Sequence, residues 1–288
     1  METLILEPNA PPIYLKQFLA NNGISATAYR KLKLLGTLWV NNEQPRGNIF
    51  LEPGAIITFE YQEEISKIIP NIGPLEIAYE DEYLLITNKP AGMLVHPTTK
   101  NMGNTLANII AGHYKKAGIE AGIHPVSRLD KNTSGLVIFA KKAYIQFALT
   151  LSPLHKEYLG LVEGIPSSAN GTITAPISRK PGSIIEREVN QYTGKYACTN
   201  YSVVETYKNL ALVKFVLKTG RTHQIRVHAA FCGHPLYDDN LYGKKGPQGR
   251  HCLHASRLCF DHPITHENID VSCLLPLDML KIINQHKL

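Results

Sequence analysis

"HPVSRLDKNTSGLVIFAK", residues His124 to Lys141, sets an arginine and an aspartate two residues apart, directly before a turn and an apolar run. His124-Pro125 opens the stretch as a turn former, and Lys131-Asn132-Thr133-Ser134-Gly135 carries the side chains that close turns on their own backbone. Leu136 to Ala140 is a short, unbroken apolar run bounded by turn residues, which reads as a buried strand. Asp130 therefore has two readings. On the local pattern it is a turn or cap carboxylate; alternatively it is a lone carboxylate held ready for chemistry.

Outward from this stretch, 288 residues suffice for one large domain, or for a large domain with a small one attached. Hydrophobic residues make up 44% and charged residues 19%, which excludes a disordered or fibrous chain. No apolar run approaches the roughly 20 residues a membrane span needs, so no membrane association is expected. The start, "METLILEPNA", carries acids where a secretory leader carries Arg or Lys. Five irregularly spaced cysteines give no disulfide framework, and a reducing cytoplasmic location is expected. Residues 1–66 hold five basic residues against seven glutamates, a net −2, which leaves +8 for the rest of a chain whose total is +6. A polyanionic partner suits that larger segment, although a mildly basic soluble protein fits the charge equally well.

The first 66 residues read as a unit. "IYLKQFLANNGI" has helical spacing closed by Asn22-Gly23, and Ser25 caps a second periodic segment, "ATAYRKLKLLG", stopped by Gly36. "TLWVNNEQ" and "PGAIITFEY" then form a small hairpin. Arg30, Lys31 and Lys33 lie on the second helix, where a solvated face is the ordinary fate of such a cluster. Residues 12–60 resemble the small ribosomal-protein-like RNA-binding module known as the alpha-L motif. The resemblance implies that Arg30, Lys31 and Lys33 face structured RNA. After a linker, "SKIIPNIGP", come short apolar strands separated by turns ("LEIAYED", "YLLITNKP", "GLVIFAK", "KEYLGLVEG", "ALVKFVLK", "HQIRVHAAF"), with helical segments such as "NTLANIIAGHYKKAG" and "AYIQFALTL" between them, a strand-rich mixed order and not a βαβ repeat. This order predicts an α+β domain over residues 67–288, built on a mixed, mostly antiparallel sheet.

Nucleotide-binding glycine motifs and the serine-hydrolase elbow are absent from the sequence. Cys232, His234, His251, Cys252, His254 and Cys259 cluster, but none of their spacings matches the paired units of structural zinc, so no metal is expected. A glycosidase would need a second carboxylate beside Asp130, and no neighbouring residue announces one.

With "NKPAGMLVHP" before it, "SRLDKNTSGLVIFAK" is followed in order by "KEYLGLVEG" and "KTGRTHQIRVHAAFCGHPLYDDNLYG". In order, spacing and wording these segments resemble the RluA-type RNA pseudouridine synthases over residues 75–275. The resemblance implies an isomerase that converts selected uridines of ribosomal or transfer RNA to pseudouridine, with Asp130 the catalytic aspartate, Tyr158 the active-site tyrosine and Arg226 the arginine facing the aspartate. One departure stands out: Ser127 occupies the place where many members have histidine before Arg-Leu-Asp.

The chemistry agrees with those residue types. A carboxylate can attack the ribose or the base, or assist loss of the base anion. A nearby arginine favours the charged form of such a carboxylate. A tyrosine offers a flat face to the pyrimidine and an oxygen near the proton that must leave carbon-5. No redox, phosphate or metal step is involved, so no cofactor is expected. Further RNA contacts are expected at Arg128 beside the loop, at Lys89 and at Arg221. His223 and His228 read as structural hydrogen-bonders. Taken singly each residue has an ordinary explanation: Tyr158 as strand packing, Arg226 as a cross-strand ion pair. The rival to an enzyme is a non-catalytic RNA-binding or ribosome-assembly protein on the same scaffold. A dead paralogue is expected to lose the aspartate or tyrosine, and both are present. A monomer is expected.

Overall fold

The computed structural model describes residues 1–60, 66–247 and 249–287. In chain order the N-terminal elements are β1 (Glu2–Ile5), β2 (Ile13–Tyr14), α1 (Leu15–Asn21), α2 (Ala26–Leu35), β3 (Leu38–Val40), β4 (Phe50–Leu51) and β5 (Ile56–Phe59). The end of the strand expected at Tyr61, and the chain just before the expected boundary at 66, lie outside the described residues. Next come β6 (Ile77–Glu80), β7 (Leu84–Lys89), α3 (Leu106–Ala117), β8 (His124–Pro125), β9 (Ser134–Ala140), α4 (Ala143–Leu151) and β10 (His155–Glu163). The remainder is β11 (Asn170–Thr174), β12 (Ile177–Arg179), β13 (Arg187–Val189), β14 (Cys198–Thr206), β15 (Leu210–Leu217), α5 (Gln224–Phe231), β16 (Leu253–Asp261), β17 (Asn268–Ser272) and α6 (Leu277–Gln285).

The N-terminal helices obey their local signals. The Ser25 side chain accepts the Ala28 N–H at 3.1 Å, and Gly36 ends α2 in the left-handed region at φ 67°. The hairpin β3–β5 forms as expected, and β1, which the sequence pattern does not announce, adds to the other edge of β5.

The main sheet runs β11-β14-β15-β10-β16-β9-β7-β6, with β17 paired to β16 and β8 to β9. It is antiparallel except where β16 and β9 run parallel, at His254 with Ser134 and Ala255 with Gly135. The fold is thus α+β on a mixed, mostly antiparallel sheet. Every residue of β9 is buried because both its faces are covered. Leu136, Ile138 and Ala140 point into one cluster, while Val137 and Phe139 pack on the other side with Leu106, Ile110 and Tyr114 of α3. Gly135, the second residue of this strand, has φ 113°, and a side chain there would run into the backbone of Ala255. The glycine lets the two central strands meet directly after the Asp130 loop.

One expectation fails. "HQIRVHAAF" alternates like a strand but forms α5. Ile225 and Ala229, four residues apart, fill the cluster around Tyr158 and Phe215, while Val227 faces a second cluster with Ile177 and Ala197. Tertiary burial of two stripes overrides the β preference of isoleucine and valine.

The first of the clusters on β9 also contains Leu15, Leu19, Leu32, Ile57 and Phe59, so the N-terminal elements and the sheet share one apolar core. Glu2 accepts from Tyr144 Oη at 2.8 Å, and Phe59 meets the Tyr144 ring edge-on at 6.0 Å. Phe59→Ala is expected to destabilise the whole protein by about 3–5 kcal/mol in denaturant unfolding monitored on the catalytic sheet. A loss confined to the N-terminal elements, with the sheet unchanged, would contradict a shared core.

Candidate active site

Asp130 sits on the loop between β8 and β9, which is held nearly residue by residue. The Asp130 carbonyl accepts the Thr133 N–H at 3.1 Å, closing the turn that Lys-Asn-Thr-Ser announces. The Lys131 carbonyl accepts from Lys89 Nζ at 3.1 Å and from the Gly92 N–H at 2.9 Å. The Asn132 carbonyl accepts from Arg250 Nη1 at 3.2 Å. Thr133 Oγ1 lies 2.8 Å from His251 Nε2, and Ser134 Oγ lies 2.9 Å from His254 Nδ1. Burial, then the charge of Arg226, pushes His251 down to about 3; burial, then the charge of Arg250, pushes His254 down to about 4. Both rings are therefore neutral at pH 7, as partners of hydroxyl groups. The Asp130 loop is a turn, as its local pattern says, and that turn is what aims the carboxylate.

Arg226, from α5, reaches the Asp130 carboxylate and is itself clamped from behind. Its Nη1 donates to Asp130 Oδ2 at 3.3 Å. Its Nε and Nη2 donate to Asp239 Oδ2 and Oδ1 at 2.8 and 2.7 Å, a bidentate fork on a carboxylate that is fully buried. Burial pulls Asp239 toward its neutral form, but the Arg226 hydrogen bonds and charge outweigh it, and its pKa ends below the ordinary value. The N–H groups of Leu241 and Tyr242 also donate to Asp239 Oδ1, at 3.0 and 3.2 Å. The Arg226 guanidinium stacks over the Tyr242 ring at 5.0 Å.

Tyr158, on β10, is buried beside Asp130. Burial first, and the Asp130 charge second, push its phenol well above the ordinary range, so it carries its proton at pH 7. It offers a ring face and a hydroxyl; ionising that hydroxyl costs more here than in water.

Asp130, Tyr158 and Arg226 line one open cavity of about 990 Å³, and the exposed Arg128 and Arg221 line it with them. Ser127 is on the same wall. Lys89 is not a surface residue. It is fully buried, and its Nζ donates to the carbonyls of Pro90, Met93 and Lys131 at 2.9, 2.9 and 3.1 Å. All three donors are thus committed to backbone beneath the Asp130 loop, which corrects its expected role as a phosphate contact. Burial lowers its pKa to about 7. Arg30 and Lys33 are exposed on α2 and Lys31 is half-buried; none of them lines the cavity.

Asp239 carries no signal in "YDDN" that separates it from Asp238, whose carboxylate folds its own loop by accepting the N–H groups of Gly246 and Gly249. His223 is also at the site, in the left-handed region at φ 60°, with Nε2 3.7 Å from Asp130 Oδ2 and Nδ1 2.8 Å from Tyr242 Oη. Burial lowers its pKa, so the imidazole is neutral. His228 bonds Thr199 Oγ1 and the Ala175 carbonyl, both at 2.9 Å. The cysteine–histidine cluster of the sequence is dispersed: His234 bonds the Glu163 carbonyl, and His254 lies between Ser134 and Cys273. Among the described residues no three His, Cys, Asp or Glu side chains are placed to hold a metal ion, and no helix is long and apolar enough to cross a membrane.

Comparison with known proteins agrees with this arrangement. Residues 83–231 match the family described as RNA pseudouridylate synthase. The chain is 36% identical over 277 residues to YjbO of Bacillus subtilis, an uncharacterized RNA pseudouridine synthase, covering 93% of this chain and 98% of that protein. It is 40% identical over 228 residues to the ribosomal large subunit pseudouridine synthase D of Zymomonas mobilis, covering 72% and 71%. In fold it is similar to human RNA Pseudouridylate Synthase Domain Containing 4, with TM-score 0.58 at 24% identity over 73% of this chain and 92% of that one. The chain belongs to the RNA pseudouridylate synthase family, of the RluA type, and is an isomerase of uridines in RNA.

Proposed function

We propose that this enzyme isomerises specific uridines of ribosomal RNA, with Asp130 as the carboxylate that assists cleavage of the glycosidic bond. One observation carries the reading. Among the described residues, Asp130 is the single acidic side chain lining a cavity whose other charged walls are Arg128, Lys131, Lys156, Lys218, Arg221 and Arg226. A polyanion is drawn to such a surface, and Asp130 supplies within it the carboxylate that can attack the bound nucleotide or assist departure of its base. Relatives named for the large ribosomal subunit favour ribosomal over transfer RNA.

The reaction breaks the bond from carbon-1′ to N1, turns the base, and joins carbon-1′ to carbon-5. Carbon-5 loses its proton and N1 gains one. Asp130 acts on the first step, with Arg226 fixing where its oxygens point. Tyr158 holds the turned base against its ring, and its protonated hydroxyl serves the carbon-5 step as a relay, giving up its own proton as it takes the one from carbon-5. The target uridine must leave its stack to reach this depth, at a cost of about a few kcal/mol. Arg128 and Arg221 offset part of that cost at the rim of the cavity. Arg30, Lys31 and Lys33 hold structured RNA at a distance from the cavity, through the N-terminal module of residues 1–66. The enzyme works as a cytoplasmic monomer.

Pseudouridine mapping in ribosomal and transfer RNA, from cells with and without the gene, is expected to lose specific sites in ribosomal RNA; loss in transfer RNA alone would contradict the substrate. In Asp130→Asn, tritium release from carbon-5-labelled uridine in RNA is expected to fall to background with folding and RNA affinity near normal. An asparagine variant working at the wild-type rate would return Asp130 to a turn residue. Tyr158→Phe keeps the ring and is expected to bind RNA normally while turnover falls about 100-fold or more. Wild-type turnover would reduce Tyr158 to a stacking platform.

A further inference from the structure

Each buried cation at this site is compensated, with one exception. Arg226 has Asp239 and Asp130, Lys89 has three carbonyls, and Arg250 has Asp278 at 2.6 Å. Lys156, on β10, lines the cavity and is half-buried, and its ammonium has no ion pair or hydrogen bond among the described residues. Its pKa is lowered by burial alone, with no carboxylate near enough to oppose the shift. A half-buried ammonium that lines an open cavity and meets no anion of its own chain is free to take one from a ligand.

We propose that Lys156 binds a backbone phosphate flanking the flipped uridine. Position selects the phosphate over the uracil ring. The pairing of β10 with β15 is regular from Glu157 to Glu163, so Lys156 lies on the same face as Tyr158, two residues along the strand. That step is about 6.6 Å, comparable to the reach from a nucleotide's glycosidic carbon to its phosphates. Tyr158 is buried beside Asp130 where the base is turned, and Lys156 is the more exposed of the two. With the base against Tyr158, the ammonium therefore meets the sugar–phosphate strand. The irregularity in the pairing of β10 with β16 leaves this alternation intact, because the additional residue, Ser256, is on β16. Lys156 is thus a binding residue that sets the depth of the nucleotide relative to Asp130, and the inference rests on Asp130 being the catalytic carboxylate.

The test is a thermodynamic cycle read by affinity. The probe is a synthetic RNA stem-loop carrying a uridine identified by the mapping above, with either flanking phosphate natural or replaced by an uncharged methylphosphonate. Neutralising one of the two phosphates is expected to weaken wild-type binding about 10- to 100-fold, the range for a charge-assisted hydrogen bond. Lys156→Met is expected to show a similar loss on the natural probe and no further loss on the neutralised one. Lys156→Arg is expected to retain the sensitivity. Losses that multiply at both phosphates, or wild-type affinity in Lys156→Met, would overturn the proposal. Should the methionine variant fail to fold, Lys156→Gln replaces it in the same cycle, where the same pattern of losses supports the phosphate contact and multiplying losses refute it. An active Asp130→Asn enzyme would remove the catalytic reading, whereas this cycle measures affinity and answers for Lys156 separately.

Discussion

Arg226 is a buried guanidinium shared between a carboxylate that holds it and a carboxylate that it holds. The rest of the site depends on that asymmetry. Both oxygens of Asp239 are spent on the Nε and Nη2 fork, and two backbone N–H groups fix Asp239 in turn. The remaining Nη1 is left pointing at Asp130, over a longer and weaker contact of 3.3 Å. An arginine anchored on one side cannot swing onto Asp130 and neutralise it as a closed pair. Asp130 keeps its second oxygen, and much of its hydrogen-bonding capacity, for a substrate.

The fold brings the three parts of this relay from distant sequence. Asp130 comes from the loop before the central strand β9, Tyr158 from β10, and Arg226 from a helix after β15. The glycine contact between β9 and β16 draws the first two together. The buried side of α5, with Ile225 and Ala229 in the cluster under Tyr158, brings the third. Beneath the loop, the buried Lys89 and Arg250 bind consecutive carbonyls and so fix the backbone carrying Asp130.

Much of this was legible. The unbroken apolar run after Gly135 announced a buried strand, and the order of the motifs pointed by resemblance to Asp130, Tyr158 and Arg226, which the structure brings to one cavity. What was hidden has physical causes. Asp239 is one of two adjacent aspartates, and only tertiary structure separates the one that clamps Arg226 from the one that folds a loop. Lys89 looked like a phosphate ligand because charge is visible in sequence and burial is not. α5 looked like a strand because Ile225, Arg226 and Val227 alternate, while its helical spacing is expressed only through contacts with two separate clusters. Of the histidines and cysteines that lie close together in the sequence, His234 bonds the Glu163 carbonyl, His251 the Thr133 hydroxyl and His254 the Ser134 hydroxyl, while Cys252 sits in an apolar cluster.

The central claim is that Asp239, which does not line the cavity, sets where Arg226 points toward Asp130. Single-turnover kinetics of Asp239→Asn measures this most directly, because the substitution keeps the shape but breaks one arm of the fork. The account predicts a rate constant for pseudouridine formation lowered by about 100-fold or more, with RNA affinity within about twofold of wild type in folded protein. A folded Asp239→Asn enzyme with the wild-type single-turnover rate would contradict it.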